Sequence, residues 1–553
     1  MRTIRATGFA ALCLVLSASC SSGTTPADDD PSRATQPPTG TTSPSPSPTT
    51  PQPTATTTQR PRLSIGAGWG PGGRDINRAT SLVSGMSLRE VAGQVIVARY
   101  DGTAAPTSLV NRLHLGGVIV FDDNFTGAAQ IRRGNQALQQ AARKAGRRWP
   151  VFVGVDQEGG IVERVKGAAT RFPTFMTAGA ARDPRLTKRT YAASGAELAN
   201  LGFTVAFAPD GDVTSGPDDP TIGSRSAGSR PKLVATQMNA AVDGFLSSGV
   251  LPVIKHFPGH GSVPGDSHLE LPVQTKSLRQ LMRSDLVPFR SGVADGISSV
   301  MVAHIDVRAV DPGIPSSLSR KVVTGLLRDR LGFQGLVITD ALNMRAITDR
   351  FDSAQSAVRA LRAGADVLLM PPIPRSARTG IVRAVRNGRL GRERLEHAAI
   401  RQIAILLHQR NLDPSVTKRP GSSGATSRRI SAAGVTVVSG PCQGRLVGSS
   451  VRGVGSSDVV ARFHAAASRA GLGTGAGTTV ALIGYGGSAR SADVVVSMDT
   501  PYVLGASSAS TAKIALYGDT PGAMAALVDV VLGKAKAPGR LPVHVPGAAR
   551  SGC

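Results

Sequence analysis

Apolar residues along the chain follow two rhythms. From about residue 81, short runs of apolar residues alternate with segments in which apolar positions recur every three or four residues. The runs are QVIVARY (94–100), GGVIVF (116–121), VFVGVD (151–156), FTVAFAP (203–209), LPVIKHF (251–257), SSVMVAHI (298–305), GLVITDA (335–341) and ADVLLMP (365–371). Continuous apolar runs of this length suit strands buried on both faces. The intervening segments, such as 127–146, 230–249 and 319–333, have helical periodicity, and several end in Gly. Strand–helix alternation repeated eight times predicts an α/β fold of the (β/α)8 TIM-barrel type. An open doubly wound sheet is the other arrangement of the same alternation.

In a barrel, chemistry sits at the C-terminal ends of the strands. The polar residues there are Asp156, Lys255, His256, His304 and Asp340, with Arg225 in the loop after the fourth run. Polar groups at the same end of several strands converge on one mouth. A helical stretch (392–412) and a Gly/Ser-rich linker follow. A second alternation comes next: VTVVS (435–439), GRLVGSS (444–450), TVALIGY (479–485), DVVVSMD (493–499) and KIALYG (513–518), with helical segments at 457–471 and 521–534. These patterns place a barrel domain at 76–415, a linker at 416–427 and a smaller C-terminal α/β domain at 428–553.

The first 75 residues have a different texture. Arg2 and Arg5 precede an apolar stretch (8–16) and then Ser17-Ala18-Ser19-Cys20. A basic start, a short apolar run and small residues before a cut predict a signal peptide over 1–20. The cysteine after the small residues resembles a bacterial lipobox, which implies that Cys20 becomes the lipidated first residue of an exported protein; plain secretion is the alternative. Residues 21–75 are dominated by Thr, Pro, Ser and Gly. They cannot bury enough apolar surface to offset chain entropy, so a disordered tether is expected. No run of eighteen apolar residues occurs, so membrane attachment is expected only through a lipid anchor.

The 553 residues carry 63 Lys and Arg against 37 Asp and Glu, a net charge of +26. That sign attracts polyanions, acidic wall polymers among them. Aromatic residues make up only 4%, leaving little stacking surface for single-stranded nucleic acid. No helix shows an Arg/Lys stripe in a base-reading context, so no nucleic-acid partner is expected. Of the four cysteines, only Cys442 and Cys553 fall in the folded part. In an oxidising compartment they can pair, and spacing alone leaves open whether they do.

The densest cluster of chemistry is Lys255-His256-Phe257-Pro258-Gly259-His260-Gly261, followed by Asp266-Ser267-His268. It begins at a strand end and runs into a Gly/Pro-rich loop. Three histidines and an Asp so close together suit a metal site. They equally suit a carboxylate–imidazole dyad, in which Asp266 orients His268 and the ring gives a proton to a leaving oxygen and later takes one from water. Asp340 ends an apolar strand and must be solvated or partnered, since burying it alone is costly. It is placed to attack an electrophilic carbon.

KHFPGHG with its downstream DSH, DQEGGxVxR (156–164) and ITDAL (338–342) together resemble the family-3 glycoside hydrolases, and within them the β-N-acetylglucosaminidases of the NagZ type. The resemblance extends over nearly all of the chain beyond about residue 81, through APGRLPV (537–543). It implies a retaining double displacement with Asp340 as nucleophile, His268 as acid/base and Asp266 as its partner. That differs from the usual pair of carboxylates. It also implies sugar contacts from Asp156, Arg164, Arg225, Lys255 and His256, and no cofactor or metal; Glu158, His260, Glu270 and His304 fall near the same mouth, where support roles are expected of them. The implied substrates are GlcNAc-containing oligosaccharides, including muropeptides of peptidoglycan, met outside the cytoplasmic membrane by a monomer.

Related β-glucosidases lack the His-Gly and Asp-x-His loop, which separates the two activities. The other readings are a β-glucosidase-type family-3 hydrolase, a metal-dependent barrel hydrolase using His256, His260 and His268, and a non-catalytic wall-binding lipoprotein. The C-terminal domain offers no acid/base candidate, so a structural or substrate-edge role is expected for it.

Overall fold

The computed structural model describes residues 69–553. The signal segment with Cys20, and most of the tether, lie outside the described residues. Each of the eight apolar runs contributes a strand. In chain order they are β1 (Ile96–Ala98), β2 (Gly117–Val120), β3 (Phe152–Val155), β4 (Val205–Ala206), β5 (Leu251–Pro252, resuming as Ile254–Phe257), β6 (Ser299–Val302), β7 (Leu336–Thr339) and β8 (Leu368–Leu369). All neighbours pair in parallel, in the order β8-β1-β2-β3-β4-β5 on one side and β5-β6-β7 on the other.

The ladder is not continuous around the ring. Strand β5 breaks at Val253, whose N–H donates to the carbonyls of Ala206 and Ala208. Between β7 and β8 the pairing is one parallel bridge, Ile338 to Val367, with Val367 N donating to Val337 O and Thr339 N to Val367 O. Side chains cover that seam. Leu369 N donates to Thr339 Oγ1 at 3.1 Å, and Val337 N donates to Asp366 Oδ2 at 3.0 Å.

The strands are buried throughout, as apolar runs between two layers must be. Helices cover the outside, and their ends are written in the sequence. Asp183 accepts from Leu186 N ahead of Pro184, which opens the helix Pro184–Asn200. Asp352 accepts from Ala354 N and Gln355 N to start Ser353–Ala363, and Gly364 (φ 118°) ends it in the left-handed region. The helix Gly73–Ser84 begins inside the stretch that composition assigns to the tether; it buries Ala79 and Val83.

The C-terminal domain is a six-stranded sheet: β9 (Thr436–Ser439), β10 (Ser450–Val454), β11 (Gly473–Thr474), β12 (Thr478–Ile483), β13 (Ser491–Ser497) and β14 (Ser508–Ala515). Its order is β9-β14-β13-β12-β10-β11, parallel except for β9. GRLVGSS, read from its pattern as a strand, is a loop: Arg445 bonds the carbonyls of Val447 and Gly448, and the strand starts only at Ser450. Cys442 and Cys553 form a disulfide with their Cα atoms 5.7 Å apart.

The two domains are joined by specific contacts. Thr174 donates through both N and Oγ1 to Tyr517 O. Arg171 spans Glu163 and Asp519 at 3.0 and 2.8 Å. The stretch read as linker is held by buried Glu197, which accepts from Gly421 N and Ser423 N. The helix Gly424–Gly434 starts within it.

Candidate active site

The strand-end residues open into one cavity of about 410 Å³ at the C-terminal mouth of the barrel. Asp156, Arg164, Arg225, Lys255, His256, His268 and Asp340 all line it. Asp266 sits one step behind, against His268. Glu158 and His260 also line the cavity. His304 is buried behind Asp340 and Glu270 is exposed on the loop, neither of them a lining residue.

DQEGG explains one wall. After β3 the chain makes a hairpin, Gln157–Gly159 against Val162–Glu163. Gly159 (φ 107°) and Gly160 (φ 64°) turn it, and a Cβ on Gly160 would lie 2.2 Å from Thr174 Cγ2. The turn presents Glu158 inward. Its carboxylate accepts two bonds from Arg225, both at 2.9 Å, and takes Lys255 Nζ at 2.7 Å. Lys255 Nζ also donates to Asp156 Oδ1 at 2.8 Å. Burial disfavours the Glu158 charge, but Arg225 and Lys255 outweigh it and hold the carboxyl far below its usual range. Burial also works against the Lys255 charge, yet Asp156 and Glu158 keep its pKa above the ordinary lysine value.

His256 follows Lys255 and leans the other way. Its Nδ1 lies 2.6 Å from Asp212 Oδ2, and Arg225 Nη2 lies 3.2 Å from its Nε2. Burial and the Arg225 charge push its pKa well down. The ring is therefore neutral, with Nδ1–H donating to Asp212 and Nε2 accepting from Arg225. Asp212 also accepts from His256 N and His260 N. Burial and the neighbouring Asp212 push Asp210 well up. Burial raises Asp212 as well, against the pull of His260 and of its N–H donors.

Asp210, Asp212 and His256 bring three potential ligand atoms within 4.8 Å of one another. The Arg225 guanidinium, 3.7 Å from Asp210 Oδ2, opposes a further cation there, and His256 Nδ1 is already bonded. The motif histidines do not converge on a point. His260 pairs with Ser267 Oγ at 3.0 Å and His268 with Asp266 at 2.7 Å.

Asp340 follows β7 directly, and its N–H donates to Val302 O. Burial raises its pKa, but the neighbouring His304 and the Ala341 N–H, which donates to Oδ1 at 2.7 Å, hold it below its ordinary value. His304 is fixed by Ser317 Oγ (2.7 Å) and Ala341 O (3.0 Å).

Across the cavity, His268 is 65% exposed on its loop. Asp266 Oδ1 takes both its N–H and its Nδ1–H, which leaves Nε2 unbonded. Partial burial raises Asp266, and the two His268 bonds overcome this and lower it. The loop is tethered by Ala346 N to Ser267 O.

The sequence reading missed several lining groups. Phe121 lies between the guanidiniums of Arg99 (4.9 Å) and Arg164 (5.3 Å). Arg164 Nε is buried without a hydrogen-bond partner. Asp210 and Asp212, which stand behind the lining residues, lie in PDGD at the end of the fourth apolar run, where the strand-end rule finds them. Arg99 and Phe121 end the first and second runs and obey the same rule. Asn343, Met344 and Arg345 form the rim beyond β7 and carry no sequence signal.

Residues 87–405 match the glycosyl hydrolase family 3 N terminal domain. The chain is 37% identical over 281 residues to beta-hexosaminidase A of Pseudoalteromonas piscicida, a match covering 48% of this chain and 47% of that one. The chain thus spans about half the length of that relative. Over 296 residues it is 37% identical to the beta-hexosaminidase LpqI of Mycobacterium tuberculosis, covering 51% of this chain and 73% of that one. The solved structure of a family 3 beta-N-acetylglucosaminidase from Paenibacillus sp. str. FPU-7 superposes with a TM-score of 0.75 at 28% identity, covering 84% of this chain and all of that one.

Proposed function

The chain belongs to glycosyl hydrolase family 3, and on that premise we propose that it is a retaining exo-β-N-acetylglucosaminidase acting on terminal β-linked GlcNAc of peptidoglycan fragments or related glycans. The observation that carries this reading is the pairing in one cavity of an ionised strand-end carboxylate, Asp340, with an imidazole, His268, whose Nδ1 is held by Asp266.

In the first step the Asp340 carboxylate attacks the anomeric carbon. The C–O bond to the aglycone breaks, and His268 Nε2–H gives its proton to the departing oxygen. In the second step water attacks the same carbon, His268 takes its proton, and Asp340 is released. Two inversions retain the β configuration. The Arg225–Glu158–Lys255–Asp156 array offers donors and acceptors in fixed directions for ring hydroxyls. Arg164 is the cation of the cavity with an unbonded buried N–H, and it suits a sugar oxygen.

Hydrolysis of 4-nitrophenyl β-GlcNAc beside the β-glucoside tests the reading. Cleavage of the amino sugar at least about tenfold faster, by kcat/KM, is the expected result. Preference for the glucoside, or cleavage of neither, overturns it.

His268→Ala should cost about 10²–10⁴-fold in kcat on a poor leaving group such as an alkyl β-N-acetylglucosaminide. On a dinitrophenyl glycoside, which departs without a proton, the loss in the glycosylation step should be far smaller. Equal losses would remove His268 from the acid role.

The basic start, the apolar stretch and Cys20 support export and a lipid anchor on the outer face of the cytoplasmic membrane. The net charge of +26 would keep such an enzyme near acidic wall polymers.

A further inference from the structure

The residues lining the active-site cavity all come from the barrel, between Arg99 and Met370. The C-terminal domain nonetheless faces a crevice of its own, of about 760 Å³. It lies at the carboxyl ends of β10, β12, β13 and β14, where ligands of parallel α/β sheets bind. Its other wall is the barrel hairpin that also bounds the active site. Val162 lines the cavity and Ile161 lines the crevice.

A second link runs through Asp499. This buried residue of the crevice accepts from Ser224 Oγ, on the turn Gly223–Arg225 whose Arg225 holds Glu158 in the active site. The two hollows therefore share two structural elements.

The chemistry of the crevice suits a polyol. Tyr485 stands 70% exposed in the sequence Gly484-Tyr485-Gly486-Gly487, an aromatic side chain on which a sugar ring can stack. Asp519 is locked between Arg171 and Arg462 at 2.8 and 2.6 Å, a rigid floor. Arg490 and Lys166 are exposed and have no acidic partner among the described residues, so both can donate to hydroxyl or carbonyl oxygens.

A phosphate ligand fits less well. The Gly-rich loop leads into a strand, β13, not into a helix N-terminus that would receive an anion. The helix that opens at the crevice, Ser457–Arg469, carries Asp458 in its first turn.

We propose that this crevice is a binding site for the aglycone side of an oligosaccharide, taking a sugar several residues from the terminal one and stacking it on Tyr485. The proposal rests on the hexosaminidase reading for the identity of the sugar, an N-acetylated β-linked chain.

Kinetics of the full chain on chitobiose, chitotetraose and the aryl glycoside test it. Tyr485→Ala should raise KM for chitotetraose about three- to tenfold, the size of one lost aromatic contact, with chitobiose and the aryl glycoside unchanged. Arg490→Ala, a second exposed position, should act in the same direction. Equal KM values for chitotetraose in wild type and both variants would overturn the proposal.

Calorimetric titration of chitotetraose into the wild type and Tyr485→Ala separates the two readings. If the wild type cleaves no β-GlcNAc substrate, the hexosaminidase reading fails. The crevice then stands if Tyr485→Ala still weakens binding by that factor, and falls if binding is unchanged.

Discussion

Asp340→Ala should lower kcat for 4-nitrophenyl β-GlcNAc by about four orders of magnitude or more, the loss expected when a nucleophile is removed and its partners are left without a function. Binding of the sugar should persist, because the Arg225–Glu158–Lys255–Asp156 array does not pass through Asp340. The fold should persist as well. The Asp340 carboxylate receives one local hydrogen bond, from Ala341 N, while the backbone bond to Val302 O that holds the strand end is unaffected.

Azide distinguishes a lost nucleophile from a damaged site. In Asp340→Ala an azide ion can enter from the vacated face, attack the anomeric carbon once and leave an α-glycosyl azide. Recovery of turnover with the α product identifies the missing group as the one that attacks. A β product, or no rescue with intact binding and fold, would count against the assignment. The depressed pKa also has a sign. Asp340 is held below the ordinary aspartate value, so loss of activity near pH 6 would have to come from another group.

Asp340, Lys255 and His256 were legible in the sequence because each ends an apolar strand, and eight parallel strands bring such ends together. The roles of His256 and Glu158 were less legible. Lys255 and His256 are adjacent, yet one is kept charged by two carboxylates and the other neutral by burial and an arginine. That difference depends on partners 31 to 99 residues away in sequence. Asp212 shows the same limit. PDGD marks a strand end, but the upward shift of both carboxyls requires knowing that they are buried together. GRLVGSS failed for a local reason: two apolar residues between glycines satisfy a strand pattern, while Arg445 closes the segment on itself. The Tyr485 crevice had no sequence signal, because it is formed by four strand ends and a hairpin more than 300 residues earlier.

The largest stability effect is expected far from the mouth, at Asp366→Ala. Asp366 is fully buried just before β8, at the opposite end of the strand from the chemistry. Its carboxylate accepts from Arg328 (2.6 Å), Arg394 (2.9 Å), Arg401 (3.4 Å) and Val337 N (3.0 Å). It thus ties two outer helical segments to the seam where the ladder is thinnest. Removing it leaves three largely buried guanidiniums facing one another, and breaking a buried pair from one side costs about 3–5 kcal/mol. Burial pushes Arg328 down to about 10 and lowers Arg394, while Asp366, despite its burial, is pulled down by Arg328, Arg401 and Arg394. Three cations facing a single anion keep that carboxylate ionised.

The sign for pH follows from that shift. A carboxyl whose folded pKa lies below its unfolded value of about 3.9 contributes its full stability above the unfolded value and loses it as pH falls through the folded one. Denaturation midpoints of the wild type should therefore drop between about pH 5 and pH 2, and Asp366→Ala should drop less, starting from a lower value at neutral pH. Equal midpoints at pH 7 would show that the three arginines find water or carbonyl partners as good as the carboxylate, and that the backbone bonds and the Thr339–Leu369 contact hold the seam without it.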